Sequence, residues 1–192
     1  LSVLLGPISG TAIYEQRSCL AEKCGSQLAP SNFNLIDDPL LPRGLSSRPH
    51  DGDGKPTSLR KIVENGVLNL FFINIYNSRR MKLPATTGGS SNLIVPPGTL
   101  SPLELLKPLP KAIRVEGFLG GNTNAATGDF SFGVNGTLFE YGEPVQHLSE
   151  MNLSGNLFSL LQHFETASTD IWNFSSCRSP SLLFSAAEFS GT

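Results

Sequence analysis

The sequence predicts an α+β fold, built mainly from antiparallel strands in a barrel-like arrangement with two or three short helices. Three observations carry that reading. Nineteen glycines and fourteen prolines in 192 residues interrupt the chain too often for a helical bundle and fit short strands joined by turns. Asn65-Gly66, flanked by apolar runs, signals a hairpin closed by a type I′ turn. Leu157, Leu160, Leu161 and Phe164 repeat at i, i+3, i+4 and i+7, which marks one amphipathic helix.

Taken in order, residues 8–24 have modest helical character, with Gly25 placed as a C-cap. Phe33 to Ile36 reads as a short strand. A polar stretch rich in Pro, Gly, Ser and Asp follows to Thr57, a loop long enough to be functional or packed across a surface. Lys61 to Ile73 forms the hairpin, and its nearly continuous apolar second arm suits a strand covered on both faces. Ile75 to Met81 is a short polar helix, and Asn92 to Val95 a short strand. Ser101-Pro102-Leu103-Glu104 combines a capping box with Pro at N1. Pro108 and Pro110 keep that helix brief. Ala112 to Phe118 is a strand leading into a Gly/Asn/Thr-rich loop. Beyond it Phe130, Phe132 and Val134 alternate with small polar residues, so one face is buried. Tyr141-Gly142 turns the chain toward Val145, Ser154 or Asn156 caps the amphipathic helix, and Ser181 to Phe189 closes the chain as a strand. Residues 1–30 are expected as a helical arm continuing from an earlier half, and 31–192 as the main domain.

A formal net charge of −2 gives no long-range attraction to phosphate backbones, which argues against nucleic-acid binding. No run approaches the ~18 apolar residues that span a bilayer. Cys19, Cys24 and Cys177 are too few and too odd in number for a disulfide framework and read as free thiols of a reducing compartment. His50, His147 and His163 have no metal-binding helical spacing. Asp51-Gly52-Asp53-Gly54 lacks the Gly and acid of an EF-hand at their positions and reads as Asx-type turns. Serines are many, but none sits in a nucleophile elbow. Cys177 beside Arg178 is the one thiol open to a metal role, without visible co-ligands. Gly120, Gly121 and Asn122 through Thr127, Gly128 and Asp129 lack the Lys-Ser/Thr ending of a phosphate loop. Two readings remain for this stretch: a plain turn between strands, or a backbone-rich lip that holds an extended peptide or a partner.

Eight segments in order carry a family resemblance. They are Ser18-Cys19-Leu20-Ala21-Glu22-Lys23-Cys24-Gly25, Leu35-Ile36-Asp37-Asp38-Pro39, Ser47-Arg48-Pro49-His50-Asp51-Gly52-Asp53-Gly54 and Val63-Glu64-Asn65-Gly66-Val67-Leu68. Tyr76-Asn77-Ser78-Arg79-Arg80, Thr127-Gly128-Asp129-Phe130-Ser131 with Gly133, Leu153-Ser154-Gly155-Asn156-Leu157 and Ser179-Pro180-Ser181-Leu182-Leu183 complete the set. Together they resemble the C-terminal portion of the TldD/PmbA family, whose members are also named modulators of DNA gyrase. The resemblance implies an intracellular, cytoplasmic, peptide-processing metalloprotease assembled from paired subunits. One branch of the family bears a His-Glu-x-x-x-His helix in its earlier half and a metal-binding Cys in its later half; the PmbA/TldE-like branch lacks both. The placement of Cys177 directly before Arg178-Ser179-Pro180 resembles the second branch. The implied role is a non-metal subunit that pairs with a TldD/PmbA-like partner, as homo- or heterodimer, and helps hold an unfolded peptide. This chain then carries no cofactor, with zinc belonging to the full complex. The alternative is the C-terminal half of the catalytic zinc subunit, with Cys177 as ligand. Departures from the family pattern are His50 and Phe132, where the family has Phe and Arg, and the run Phe174 to Cys177. Losing that Arg weakens any charge-based peptide contact at the motif.

Overall fold

The computed structural model describes residues 1–191. Among them are five short helices and eleven strands in three sheets. The α+β class and the antiparallel dominance hold; the sheets stay open and do not close into a barrel.

The first layer is a five-stranded sheet in the order β3-β2-β1-β4-β9. It comprises β1 (Leu35–Asp37), β2 (Arg60–Glu64), β3 (Val67–Leu68), β4 (Leu93–Ile94) and β9 (Cys177–Arg178). Its one parallel pair joins β4 to β9, aligning Leu93 with Cys177. The β2–β3 hairpin turns as the sequence predicts, with φ of 49° at Asn65 and 79° at Gly66. The expected second arm shortens to two residues, because Phe71, Phe72 and Ile73 leave the ladder and bury themselves in the core instead.

Packed on this sheet are α1 (Ser2–Leu5), α2 (Gly10–Tyr14) and α5 (Leu157–Gln162), with the ribbon β8 (Phe164–Ala167) and β10 (Leu182–Phe184). Leu4, Ile8, Leu20, Phe33, Leu35, Ile62, Leu68, Leu161 and Phe164 share one core, so residues near the start of the chain and near its end bury each other. Phe33 and Phe164 meet edge to face at 5.1 Å. The helix expected over 8–24 stops after one turn, since Gln16 adopts φ +55° and Ser18 turns inward to donate to Pro7 O at 2.6 Å. Two other helices match their predicted starts. Asn74 caps α3 (Ile75–Met81), and Ser101 with Glu104 forms the full capping box of α4 (Pro102–Leu106).

The second layer is a four-stranded antiparallel sheet ordered β11-β7-β6-β5. Its strands are β5 (Ala112–Thr123), β6 (Asp129–Glu140), β7 (Glu143–Asn156) and β11 (Glu188–Ser190). Phe130, Val134, Leu138 and Met151 bury one stripe of it. Register shifts at Val115/Gly117 and Phe118/Gly120 mark bulges in β5, and another interrupts β6–β7 near Glu150, whose φ is +57°. Bulges bend and twist a sheet locally, and the open strand order leaves β5 and β11 as its two edges. The single strand expected over Ser181–Phe189 divides between two sheets: β10 pairs with β8, and β11 with β7.

Candidate functional site

The stretch from Gly120 to Asp129 is part strand and part turn. Gly120, Gly121 and Asn122, expected within a loop, extend β5 and pair with Gly133, Phe132 and Ser131. Only residues 124–128 make the turn. Asn124 N donates to Asp129 O at 2.8 Å, and Gly128 N to Asn124 O at 2.8 Å. The turn is anchored on both flanks: Cys19 N donates to Ala125 O at 2.8 Å, and Asn156 Nδ2 donates to Thr127 O at 2.9 Å and Asp129 Oδ1 at 2.8 Å. Asn156 also caps α5, its Oδ1 accepting from Phe158 N at 3.0 Å. Hydrogen bonds from Thr127 and Asn156 hold the Asp129 carboxyl below the usual carboxylate range.

Asn156 thus joins the turn, the last residue of β7 and the first turn of α5. Asn156→Ala is expected to cost about 1–2 kcal/mol, from the lost cap and the lost side-chain bonds. Because the folded Asp129 pKa lies below its unfolded value, its stabilising contribution is complete at neutral pH and fades as pH falls through the folded pKa. In the variant the Asp129 pKa should rise toward its ordinary value. Urea denaturation at neutral pH and an NMR titration of the Asp129 carboxyl check the two parts.

Beside this turn runs the edge of the sheet. β5 pairs with β6 along one side, and from Leu119 to Thr123 every residue is exposed. Phe118 and Leu119 are 65% and 63% exposed, and Phe118 stacks edge to face on Phe132 at 5.6 Å. The aromatic ring of Phe132 therefore supports an apolar edge. Sequence reading missed how long this edge is, because three glycines within Gly117–Gly121 look like a loop while pairing as strand.

Cys177 lies in β9, its amide donating to Ser175 Oγ at 3.0 Å. Although part of its surface is open, burial by surrounding atoms pushes the thiol pKa up. Among the described residues no three His, Cys, Asp or Glu side chains gather at metal-binding distance. His50, His147 and His163 sit on the polar loop, on β7 and at the C-cap of α5 respectively. Near Cys177, Trp172 and Phe174 form an exposed edge-to-face pair at 5.2 Å. Burial would raise the Asp170 carboxyl, but bonds from Ser168 and Ser181 keep it low and clasp this loop.

Side-chain bonds tie several polar residues of the first layer and its loops into the fold. Asp37 pairs with Arg60 in the core, Asp38 Oδ1 accepts from Leu40 N at 2.9 Å, and Arg48 donates to Ser90 O at 2.9 Å. Asp51 Oδ1 accepts from Asp53 N and Lys55 N, the expected Asx-type turn, while Asp53 Oδ2 accepts from Ile75 N at the start of α3.

A family model described as the PmbA/TldA metallopeptidase C-terminal domain matches residues 1–191. The chain belongs to the TldD/PmbA family. A Haemophilus influenzae protein named metalloprotease PmbA homolog is 31% identical over 194 residues, covering 100% of this chain and 43% of that protein. The crystal structure of a Bacteroides thetaiotaomicron protein named as a modulator of DNA gyrase is 38% identical with a TM-score of 0.96, covering 100% of this chain and 44% of that one. TldE from Thermococcus kodakarensis shares the fold, with a TM-score of 0.86 at 24% identity over 98% of this chain and 46% of that one. The chain spans less than half the length of these TldD/PmbA relatives, and what it represents is their C-terminal domain.

Proposed function

We propose that this domain belongs to the non-metal, PmbA/TldE-like subunit of a cytoplasmic peptide-processing metalloprotease complex. Its part is to pair with a TldD/PmbA-like subunit and to hold an unfolded peptide. The observation that carries the reading is the β5 edge, exposed from Leu119 to Thr123. An edge strand offers unpaired backbone N–H and C=O groups that an extended peptide extends as a further strand. Main-chain bonding of that kind accepts many sequences, as peptide processing requires. The bulges in β5 interrupt the edge enough to discourage uncontrolled stacking of one chain on another. Zinc, where the complex uses it, would be supplied by the other subunit.

The test is fluorescence anisotropy of a labelled, unstructured twelve-residue Gly/Ser/Thr peptide titrated with this chain. Binding is expected, and Phe118→Lys/Leu119→Lys, which places two charges on the exposed edge, should weaken it about tenfold, ~1.4 kcal/mol. Peptide binding that ignores this double change would remove the edge from the proposal. Chelator-sensitive peptidase activity of this chain alone, lost in Cys177→Ser, would establish the catalytic-half alternative instead.

A further inference from the structure

The two faces of the β5 edge differ in chemistry. Phe118 pairs with Val134, and Gly121 with Phe132. Residues directly opposite across a ladder share a face, so Phe118, Gly121, Phe132 and Val134 lie together on one face. Asn122 and Ser131, paired with each other, lie on the other, where Ser131 Oγ donates to Asn152 Oδ1 at 2.9 Å. The register shift between Phe118 and Gly120 makes Leu119 the extra residue of a bulge. Leu119 turns to this polar side, its Cβ 3.6 Å from the point where a Cβ on Gly133 would stand.

The apolar face has a gap at Gly121. The Phe132 ring occupies its place: a Cβ on Gly121 would stand 2.4 Å from Phe132 Cδ1. Phe118 closes one side of the gap, its ring 5.6 Å from that of Phe132 and inclined at 81°. Buried Phe130 stacks behind Phe132 at 5.9 Å and fixes the inner ring. Phe118 and Gly121 are exposed and Phe132 is half-buried. Two aromatic rings therefore frame a notch over a glycine, on an edge open to another chain; a glycine within a strand suits such close approach.

We propose that the Phe118–Phe132 notch makes the edge selective, favouring extended peptides that carry one apolar side chain, aliphatic or aromatic, opposite Gly121. This inference rests on the peptide reading above and adds a side-chain preference to it. A strand added to β5 in either direction places its residue opposite Gly121 on the Phe118 face, because pleating fixes the face. Gly121 brings no side chain to compete for the space. The peptide side chain settles on the Phe132 ring with Phe118 beside it, and apolar surface leaves water on both partners. Its two neighbours in the peptide point to the polar face, where small and polar residues fit. A carboxylate in the notch loses hydration beside two rings that offer it no donor.

The experiment compares three labelled twelve-residue peptides by fluorescence anisotropy: the Gly/Ser/Thr peptide, and the same peptide with a central Leu or a central Asp. Central Leu should tighten binding about fivefold, as partial burial of that side chain provides, and central Asp should give no gain. Phe118→Ser should cut the Leu advantage below about twofold, whereas Leu119→Ser, on the opposite face, should preserve it. Both positions are exposed, and thermal melting verifies that each variant folds; the comparison of peptides on the unmodified chain requires no variant. Binding of the Gly/Ser/Thr peptide with no Leu advantage, or an advantage that survives Phe118→Ser, overturns the notch and leaves the edge reading standing. Failure of all three peptides to bind overturns both. Binding of the Leu peptide alone supports the notch and overturns sequence-tolerant main-chain pairing as the source of affinity.

Discussion

Asp37→Ala is expected to destabilise the domain by about 3–5 kcal/mol, the usual cost of removing one partner from a buried ion pair. Asp37 is fully buried, and Arg60, its cross-strand neighbour in the β1–β2 ladder, is 8% exposed. The guanidinium also donates to Thr86 O at 2.5 Å and Gly89 O at 2.8 Å and lies 4.8 Å from the centre of the Phe72 ring. Asp37 Oδ1 accepts from Ser91 N at 2.6 Å. Without the carboxylate, a buried cation loses its counter-charge and a buried amide loses its acceptor; both losses are unfavourable in a low-dielectric interior. The double variant Asp37→Leu/Arg60→Met removes both charges and should recover at least half of the loss, because no unpaired ion is left to desolvate. Urea unfolding of wild type, the singles and the double completes the cycle. A cost below about 1 kcal/mol for Asp37→Ala would mean that the pair is open to water and contributes as a surface bridge does.

The pair also shows where sequence reading reaches its limit. Asp37-Asp38-Pro39 was visible as a family marker, and Arg60 was not paired with it in sequence. The bond depends on β1 and β2 being adjacent, and a chain read one residue at a time does not display adjacency. Signals confined to a few neighbouring residues were legible: Asn65-Gly66, the Ser101–Glu104 capping box, and the helix Ile75–Met81 all form where local chemistry predicts. Signals that depend on tertiary pairing were lost. β7 runs for fourteen residues through Glu143–Asn156 without a clear alternation, since bulges shift its register and much of its surface faces solvent. Phe164 has helical spacing from Leu157, yet it starts β8 because its ring packs on Phe33 and Phe184. At the candidate site, the turn at Thr127–Asp129 was legible as a turn. Its anchoring by Asn156 was not, because the bonds join residues 29 and 27 positions apart.

Gly66→Ala should be the other severe change, about 2–4 kcal/mol, while the same substitution at Gly25 should cost only about 1 kcal/mol. The two glycines have nearly the same backbone, φ +79° and +82°, so the left-handed penalty is common to both. Their surroundings differ. A Cβ on Gly25 meets nothing within 4 Å, whereas one on Gly66 would stand 2.0 Å from Ala29 O and 2.7 Å from Pro30 O. Those carbonyls cannot swing aside as a flexible side chain would. The segment is fixed by Leu28 N donating to Gly66 O at 2.8 Å and Gly66 N to Phe33 O at 2.9 Å, and Leu28, Ala29 and Phe33 are all buried. Relieving the clash moves residues 27–33 off the hairpin and disturbs the Phe33–Phe164 contact, so the cost spreads into the core. The difference between the two variants, read from urea midpoints at constant slope, therefore isolates the packing of this segment against the turn. Equal losses at both positions would show that the hairpin tip is only loosely covered and that its Asn-Gly pair serves the turn alone.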